Sequence, residues 1–272
     1  MPEPEADEPE SSDKLGGDDV DELEAQASEL LEQVGRDASV LVLREVELTT
    51  SRHIPELRRA ARDLSVVGGI GVAFVTAFVL ATANRDKAEE ITSILSGAGS
   101  IELLPRPGWL GEVDETGSTL LDNARLKARA VSAATGMAAI ADDTGLEVEA
   151  LGGAPGVHSS RFAGDSASYA DNVAKLLAEL EGKSEASARR ARFRTVAVAA
   201  WPDGREVIAE GEVKGTISLA PQGKLGFGYD PVFVPDNGGG TTYAEMDPAV
   251  KNRLSHRARA FTALASALRT EL

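Results

Sequence analysis

The 272-residue sequence contains no cysteine, which excludes disulfides, thiolate metal sites and cysteine nucleophiles together. Histidine is scarce too: three residues are too few for a histidine-rich zinc site. A bound cation must therefore be held by oxygen, and the abundant Asp and Glu suit a hard ion such as magnesium, which usually also takes substrate phosphate as ligand. A basic stripe is missing as well. The net charge of −16 is concentrated at one end, where Met1 to Val34 carries 13 acids and one lysine, leaving 31 acids against 27 bases over the remainder. Electrostatic capture of a nucleic-acid backbone is not expected, whereas a small anionic substrate needs only a few focused cations. The length allows one enzyme-sized core plus an appendage.

The stretch around which the chain is organised is IADDTGLEVEALGGAPGVHSSRFAG, residues 140–164. Asp142 and Asp143 follow an apolar run and precede Thr144 and Gly145, which predicts a strand end where the chain turns. Two adjacent carboxylates repel each other unless a cation or a shared proton relieves them, so the pair reads as a metal or general-base site. A solvated acidic turn fits a bare Asp-Asp equally well. The glycine-rich segments that follow, with Arg161 among them, favour the functional reading.

In chain order, residues 1–19 have the composition of a disordered acidic tail. Apolar residues at three- and four-residue spacing predict an amphipathic helix from Val20 to Val34 that resumes over Val40–Ser51, interrupted or restarted at Pro55. The uncharged run Leu64–Asn84 has two rival readings. As a helix it is long enough to span a bilayer. Split at Gly68, Gly69 and Gly71, it becomes a linker followed by a buried strand at Ala77–Ala81. The next segment favours the split, because TANRDKAEEITSIL joins a strand to a helix with Asn84 near its start and Lys87 in its first turn, a phosphate-binding arrangement. It lacks the glycines and the ending of a Walker P-loop.

Further on, the pattern predicts a strand at Ile101–Leu104 and a helix at Thr119–Thr135 stopped by Gly136. The acidic loop between them, with Asp114 and Glu115, can supply a second metal carboxylate, and acid enrichment near a helix start explains it at least as well. A helix capped by Ser166 runs to about Glu181, followed by a charged loop over 182–192. Strands at Phe193–Ala200 and Val207–Gly211, the second extended by Glu212–Ser218, are joined by a turn at Pro202, Asp203 and Gly204, so the sheet should be mixed. Glu149, Glu206 and Glu210 read as solvated. GKLGFGYDPVFVP, residues 223–235, reads either as a loop suited to letting a flat ring approach the backbone or as a simple bulged hairpin. Lys251, His256 and Arg257 converge around a helix start capped by Ser255, whose buried stripe is Phe261, Leu264 and Leu268. That convergence favours an anion or a carbonyl-bearing ligand.

The motifs TANRDK, DETGSTLLDNARLKA, ADDTGLEVEALGGAPGVHSSRFAG, GFGYDPVF and KNRLSHR stand in the order seen in the inosine/xanthosine triphosphate pyrophosphatase family, which the chain resembles from about Ala77 to its end. The resemblance implies a two-lobed α/β fold with an elongated mixed sheet flanked by helices and a central substrate cleft, in a homodimeric cytoplasmic enzyme. It implies magnesium-dependent hydrolysis of dITP, ITP and XTP to monophosphate and pyrophosphate, which cleanses the nucleotide pool. Carried over by position, the phosphate loop is Thr82, Ala83, Asn84 and Lys87, with Ala83 in place of a frequent glycine. The metal acids are Asp114, with Glu115 as the adjacent candidate, and Asp143, which is also the general base. Thr144 contacts substrate, and Phe227, Gly228, Tyr229, Asp230, Lys251, His256 and Arg257 surround the nucleotide.

Residues 1–74 have no counterpart in that family, whose domain here is expected over 75–272. Residues 20–74 are expected to be mainly helical, and their amphipathic and apolar pattern weakly resembles holin-like small membrane proteins. A membrane tether, a soluble regulatory appendage and a misassigned start with Val75 as the first residue all remain open, the last two favoured. Two other functions compete with the first: a membrane-associated interaction protein with an inactive body, and a pyrophosphatase of other nucleotides.

Overall fold

The computed structural model describes residues 40–44, 71–96 and 101–271. The expected acidic tail, the amphipathic helix over 20–34, the turns near Pro55 and the start of the uncharged run lie outside them. Val40–Arg44 is a strand, a correction to the helix expected there; its alternating valine and leucine suit a pleated surface. The uncharged run ends in strand β1 (Gly71–Leu80), which begins earlier than the periodicity indicated. Among the described residues no helix is long and apolar enough to cross a membrane.

Residues 74–272 fall in one compact unit. Its frame is a mixed sheet in which β1 is followed by β2 (Ile101–Leu104), β3 (Ala139–Val148), β4 (Pro155–Gly156), β5 (Arg190–Ala200), β6 (Glu206–Ile217) and β7 (Phe233–Pro235). β1 lies parallel between β2 and β3. From β3 the sheet continues antiparallel through β5, β6 and β7, and β4 pairs with the far end of β3. The turn that joins β5 to β6 is the expected one, with Gly204 at φ 89°.

The helices are α1 (Arg85–Leu95), α2 (Leu120–Thr135), α3 (Tyr169–Glu179), α4 (Pro248–Leu254) and α5 (His256–Glu271). Helix α3 is capped by Ser168 through a reciprocal bond with Asp171, two residues beyond the expected Ser166. The charged loop after it is shorter than predicted: a 3-10 turn covers Ala186–Arg189 and β5 starts at Arg190. Buried Arg189 ties this corner together by donating to the carbonyls of Leu180, Lys183, Ile217 and Ser218.

Three apolar clusters follow from the strand alternation. Phe78, Leu80 and Ile140 face α1 and α5, meeting Ile91, Phe261, Leu264 and Leu268. Val79, Ala81, Ala139 and Ala141 face α2, meeting Leu120, Ala124 and Val131. The third cluster, with Leu146, Val148, Leu176, Phe193 and Phe233, gathers at the far half of the sheet around α3. β3 thus feeds two clusters with its first residues and a third with its last, and the polar run Asp142–Asp143–Thr144 occupies the crossing. Helix α5 docks closely on β6, because a Cβ at Gly211 would stand 2.1 Å from the His256 carbonyl oxygen.

Candidate active site

The site residues carried over by position from the family all line one cleft of about 680 Å³, a volume in the range of small-molecule sites, whereas Asp142 is buried behind it. Asp142 and Asp143 do not sit at a strand end. They lie in the middle of β3, because the antiparallel pairing with β5 continues unbroken from Ala139 to Val148 and keeps the backbone extended through the acids.

The loop expected to bind phosphate follows β1. Asn84 caps α1 by accepting from the Lys87 amide at 3.0 Å, and the Thr82 hydroxyl accepts from the Asn84 amide at 3.1 Å. The loop thereby points the start of α1, a place that favours anions, into the cleft with Thr82, Ala83 and Lys87 lining it. Lys87 Nζ stands 3.4 Å from Asp142 Oδ2, and burial lowers its pKa against the pull of Asp142. Burial works against ionised Asp142 as well, but Lys87, Arg257 and Lys127 together hold its carboxyl well below the usual carboxylate range.

Asp143 has a different environment. It accepts from Asn123 Nδ2 at 3.2 Å and lies 3.4 Å from Lys127 Nζ. Burial pushes its pKa up, with Lys127 and Lys87 only partly offsetting the effect, a poise that suits a general base. The same lysine holds Glu115 at 2.7 Å, whereas Asp114 is exposed and lines the cleft. It is therefore Glu115 that one ammonium links to Asp143. Asn123 also accepts from the Gly117 amide at 2.8 Å, so α2 positions the acidic loop and the acid together.

Opposite stands the loop expected to contact the nucleotide. Asp230 Oδ2 accepts from the Phe227 amide at 2.8 Å and from Lys251, and burial pushes the Asp230 pKa up against the lysine. Gly226 makes this possible: its φ is 71° and a Cβ would meet Asp230 Oδ2 at 2.1 Å. The Phe227 ring lies 4.9 Å from Lys251 Nζ and 5.5 Å from the Arg257 guanidinium carbon, an open aromatic face beside two cations. Gly228 follows at positive φ, and Tyr229 turns inward to donate to the Ser159 carbonyl at 2.9 Å. Glu90 of α1 accepts from both Lys251 and Arg257, and the two cations lower its pKa despite burial.

Lys127, Asn123, Glu90, Thr195 and Tyr169 join the site or support it without standing out in the sequence. A signal existed for Lys127 and Asn123, which share the helical stripe of Leu120, Ala124 and Val131, an unusual place for a lysine. Tyr169 accepts from Asn84 Nδ2 and donates to Asp86, each at 3.0 Å, with its ring 5.9 Å from that of Phe227. Nothing in its local sequence marks it. Glu206, read as solvated, is largely covered and pairs with Arg125 at 2.9 Å and Arg129, because the β5–β6 turn brings it beneath α2.

Donor chemistry and charge both fit a hard divalent cation. Asp143 and Glu115 already share a single cationic group, and the lining of the cleft offers six cationic side chains against six carboxylates, leaving no surplus to neutralise a polyphosphate. Among the described residues no group of three or more His, Asp or Glu is placed to hold a metal ion by itself.

Comparison with known proteins agrees with the motifs. The dITP/XTP pyrophosphatase of Rhodospirillum centenum is 45% identical over 188 residues, covering 68% of this chain and 91% of its own. That of Methylococcus capsulatus is 49% identical over 195 residues, covering 70% and 95%. Among solved structures, a HAM1 protein from Coxiella burnetii matches with TM-score 0.64 and 40% identity over 72% of this chain and 99% of its own. The dITP/XTP pyrophosphatase from Mycobacterium abscessus matches with TM-score 0.57 and 42% identity over 71% and 100%. The profile of the Ham1 family matches residues 78–267, and the chain belongs to that family.

Proposed function

We propose that this protein hydrolyses non-standard purine nucleoside triphosphates, dITP, ITP and XTP, to the monophosphate and pyrophosphate with magnesium. The observation that carries the reading is Asp143, a buried carboxylate of raised pKa held by Asn123 and Lys127 between a phosphate-binding helix start and an aromatic, cation-flanked pocket. The names of its relatives point the same way.

In this reading the triphosphate lies along the start of α1, where the backbone amides and Lys87 meet its oxygens. Asp143 takes a proton from the attacking water, and Asn123 keeps the carboxylate aimed. Lys87 and Lys127 offset the charge of the departing pyrophosphate, and Lys251 and Arg257 hold the nucleotide beside Phe227. Glu115 and Asp143 are the residues that would hold magnesium, with Asp114 at the rim; the ion would supply charge neutralisation across phosphate oxygens. The reading includes a cytoplasmic homodimer with residues 75–272 as catalytic domain, which rests on the family resemblance.

The test is pyrophosphate release by the full chain from ITP, dITP, XTP, GTP and ATP, with magnesium and with EDTA. Metal-dependent turnover confined to the first three is expected; equal turnover of ATP, or none of ITP, would overturn the reading.

A further inference from the structure

Behind the cleft, β3, β5 and α5 contribute a line of hydrogen bonds that can run in one direction only. It starts at Asp142 Oδ2, a carboxylate oxygen that accepts from the Thr144 hydroxyl at 3.0 Å. Thr144 has one proton to give. With that proton committed, its 2.7 Å contact with the Thr195 hydroxyl requires Thr195 to donate. The Thr195 proton is then committed too, so its 2.7 Å contact with His256 Nδ1 requires Nδ1–H to donate. Arg257 Nη2 donates to Thr144 as well, at 3.4 Å, which the second lone pair of that hydroxyl accommodates.

A neutral imidazole protonated at Nδ1 presents a lone pair at Nε2. His256 is kept neutral by burial first, and by the neighbouring Arg257 and Lys251. Its plane is set by stacking on Phe193 at 4.5 Å between centroids. Nε2 has no protein partner among the described residues, yet it is not one of the sealed, unpartnered atoms, and the residue lines the cleft beside Phe227 and Arg257. The pocket therefore offers an acceptor at this point.

We propose that Thr195 and Thr144 are positioning residues that lock His256 as the Nδ1–H tautomer, so that Nε2 accepts the ring N–H of a lactam nucleobase and turns adenine away. This deepens the pyrophosphatase reading and rests on it. A 6-oxo purine carries a hydrogen at N1. Adenine carries a lone pair there, and two acceptors facing each other in a buried site leave both unpaired. Guanine also has an N1–H, so its exclusion must come from elsewhere in the pocket.

The experiment compares the wild-type full chain with Thr195→Val and Thr195→Ser, reading kcat/KM for ITP, GTP and ATP together with the imidazole nitrogen NMR signals, assigned by their loss in His256→Gln. The wild type and Thr195→Ser should show the Nδ1–H pattern. Thr195→Val should show mixed tautomers and raise the ATP-to-ITP ratio about tenfold, while the GTP-to-ITP ratio moves by less than about twofold, a split that a merely structural role would not produce. An Nε2–H wild-type spectrum, an unchanged ATP-to-ITP ratio in a folded Thr195→Val, or both ratios moving together would overturn the proposal. Should Thr195→Val fail to fold, the wild-type spectrum and Thr195→Ser decide it. Wild-type protein inactive on ITP would instead refute the pyrophosphatase reading and leave the tautomer measured.

Discussion

Asp142 and Asp143 are neighbours on β3, yet their carboxylates pair with different groups: Asp142 with Lys87 and Arg257, Asp143 with Lys127 and Asn123. Strand alternation sends successive side chains to opposite faces, which relieves the repulsion that adjacency would otherwise impose. One acid becomes a fixed anion that orders cations and hydroxyls, and the other keeps a carboxyl whose pKa burial raises.

Asp143→Asn should lower turnover at least about 100-fold while leaving the melting temperature within a few degrees, since the amide keeps the shape and removes a charge that burial disfavours. Pyrophosphate release and thermal unfolding on the same sample check both halves. Turnover near that of the wild type would remove Asp143 from the base role.

Glu90→Gln leaves Lys251 and Arg257 short of a buried counter-charge. Breaking such a pair from one side costs about 3 kcal/mol, and the loss should appear as a lower midpoint in urea unfolding. An unchanged midpoint would show that Asp230 and Asp142 suffice for the two cations.

His256 makes stability depend on pH with a definite sign. The unfolded imidazole binds a proton below about pH 6.5, whereas the folded one resists it because burial lowers its pKa well below that value. Its contribution is thus complete above that pH and is lost as the pH falls, by about 1.4 kcal/mol per unit, until the folded group also protonates. His256→Asn should flatten the fall in unfolding free energy between pH 6.5 and 5, and an equally steep fall would count against a neutral, buried imidazole.

Gly226→Ala places a methyl group where Asp230 Oδ2 now accepts from Phe227 and Lys251, at a φ that side chains avoid. The nucleotide loop must shift, so KM for ITP should rise about tenfold or more with a smaller change in melting temperature. Steady-state kinetics with ITP would show it, and an unaltered KM would mean the loop does not shape the binding site.

Much of the site was legible because it is written in contiguous stretches. TANRDK, ADDTG, GFGYD and KNRLSHR each place their functional groups within a few residues, and local turn and cap chemistry suffices to present them; each contributes residues to the cleft. Several of the residues that escaped act through partners far along the chain. Lys251 and Glu90 are 161 positions apart, and Thr195 meets His256 across 61. The choice of Glu115 over Asp114 at Lys127 depends on how α2 holds the acidic loop, which no spacing in that loop expresses.

By itself the sequence determined most of the order of strands and helices in the catalytic body, the family, and which short motifs bring charged groups to the cleft. Those properties arise from local periodicity, caps and turns, which depend on neighbours a few residues away. Tertiary structure alone decided that β3 runs on through its two acids, that separate cations hold them, that Glu206 is covered rather than solvated, and that a chain of hydroxyls directs the proton on His256. These outcomes require strands and helices distant in sequence to be brought within hydrogen-bond reach, and only the closed fold supplies that proximity.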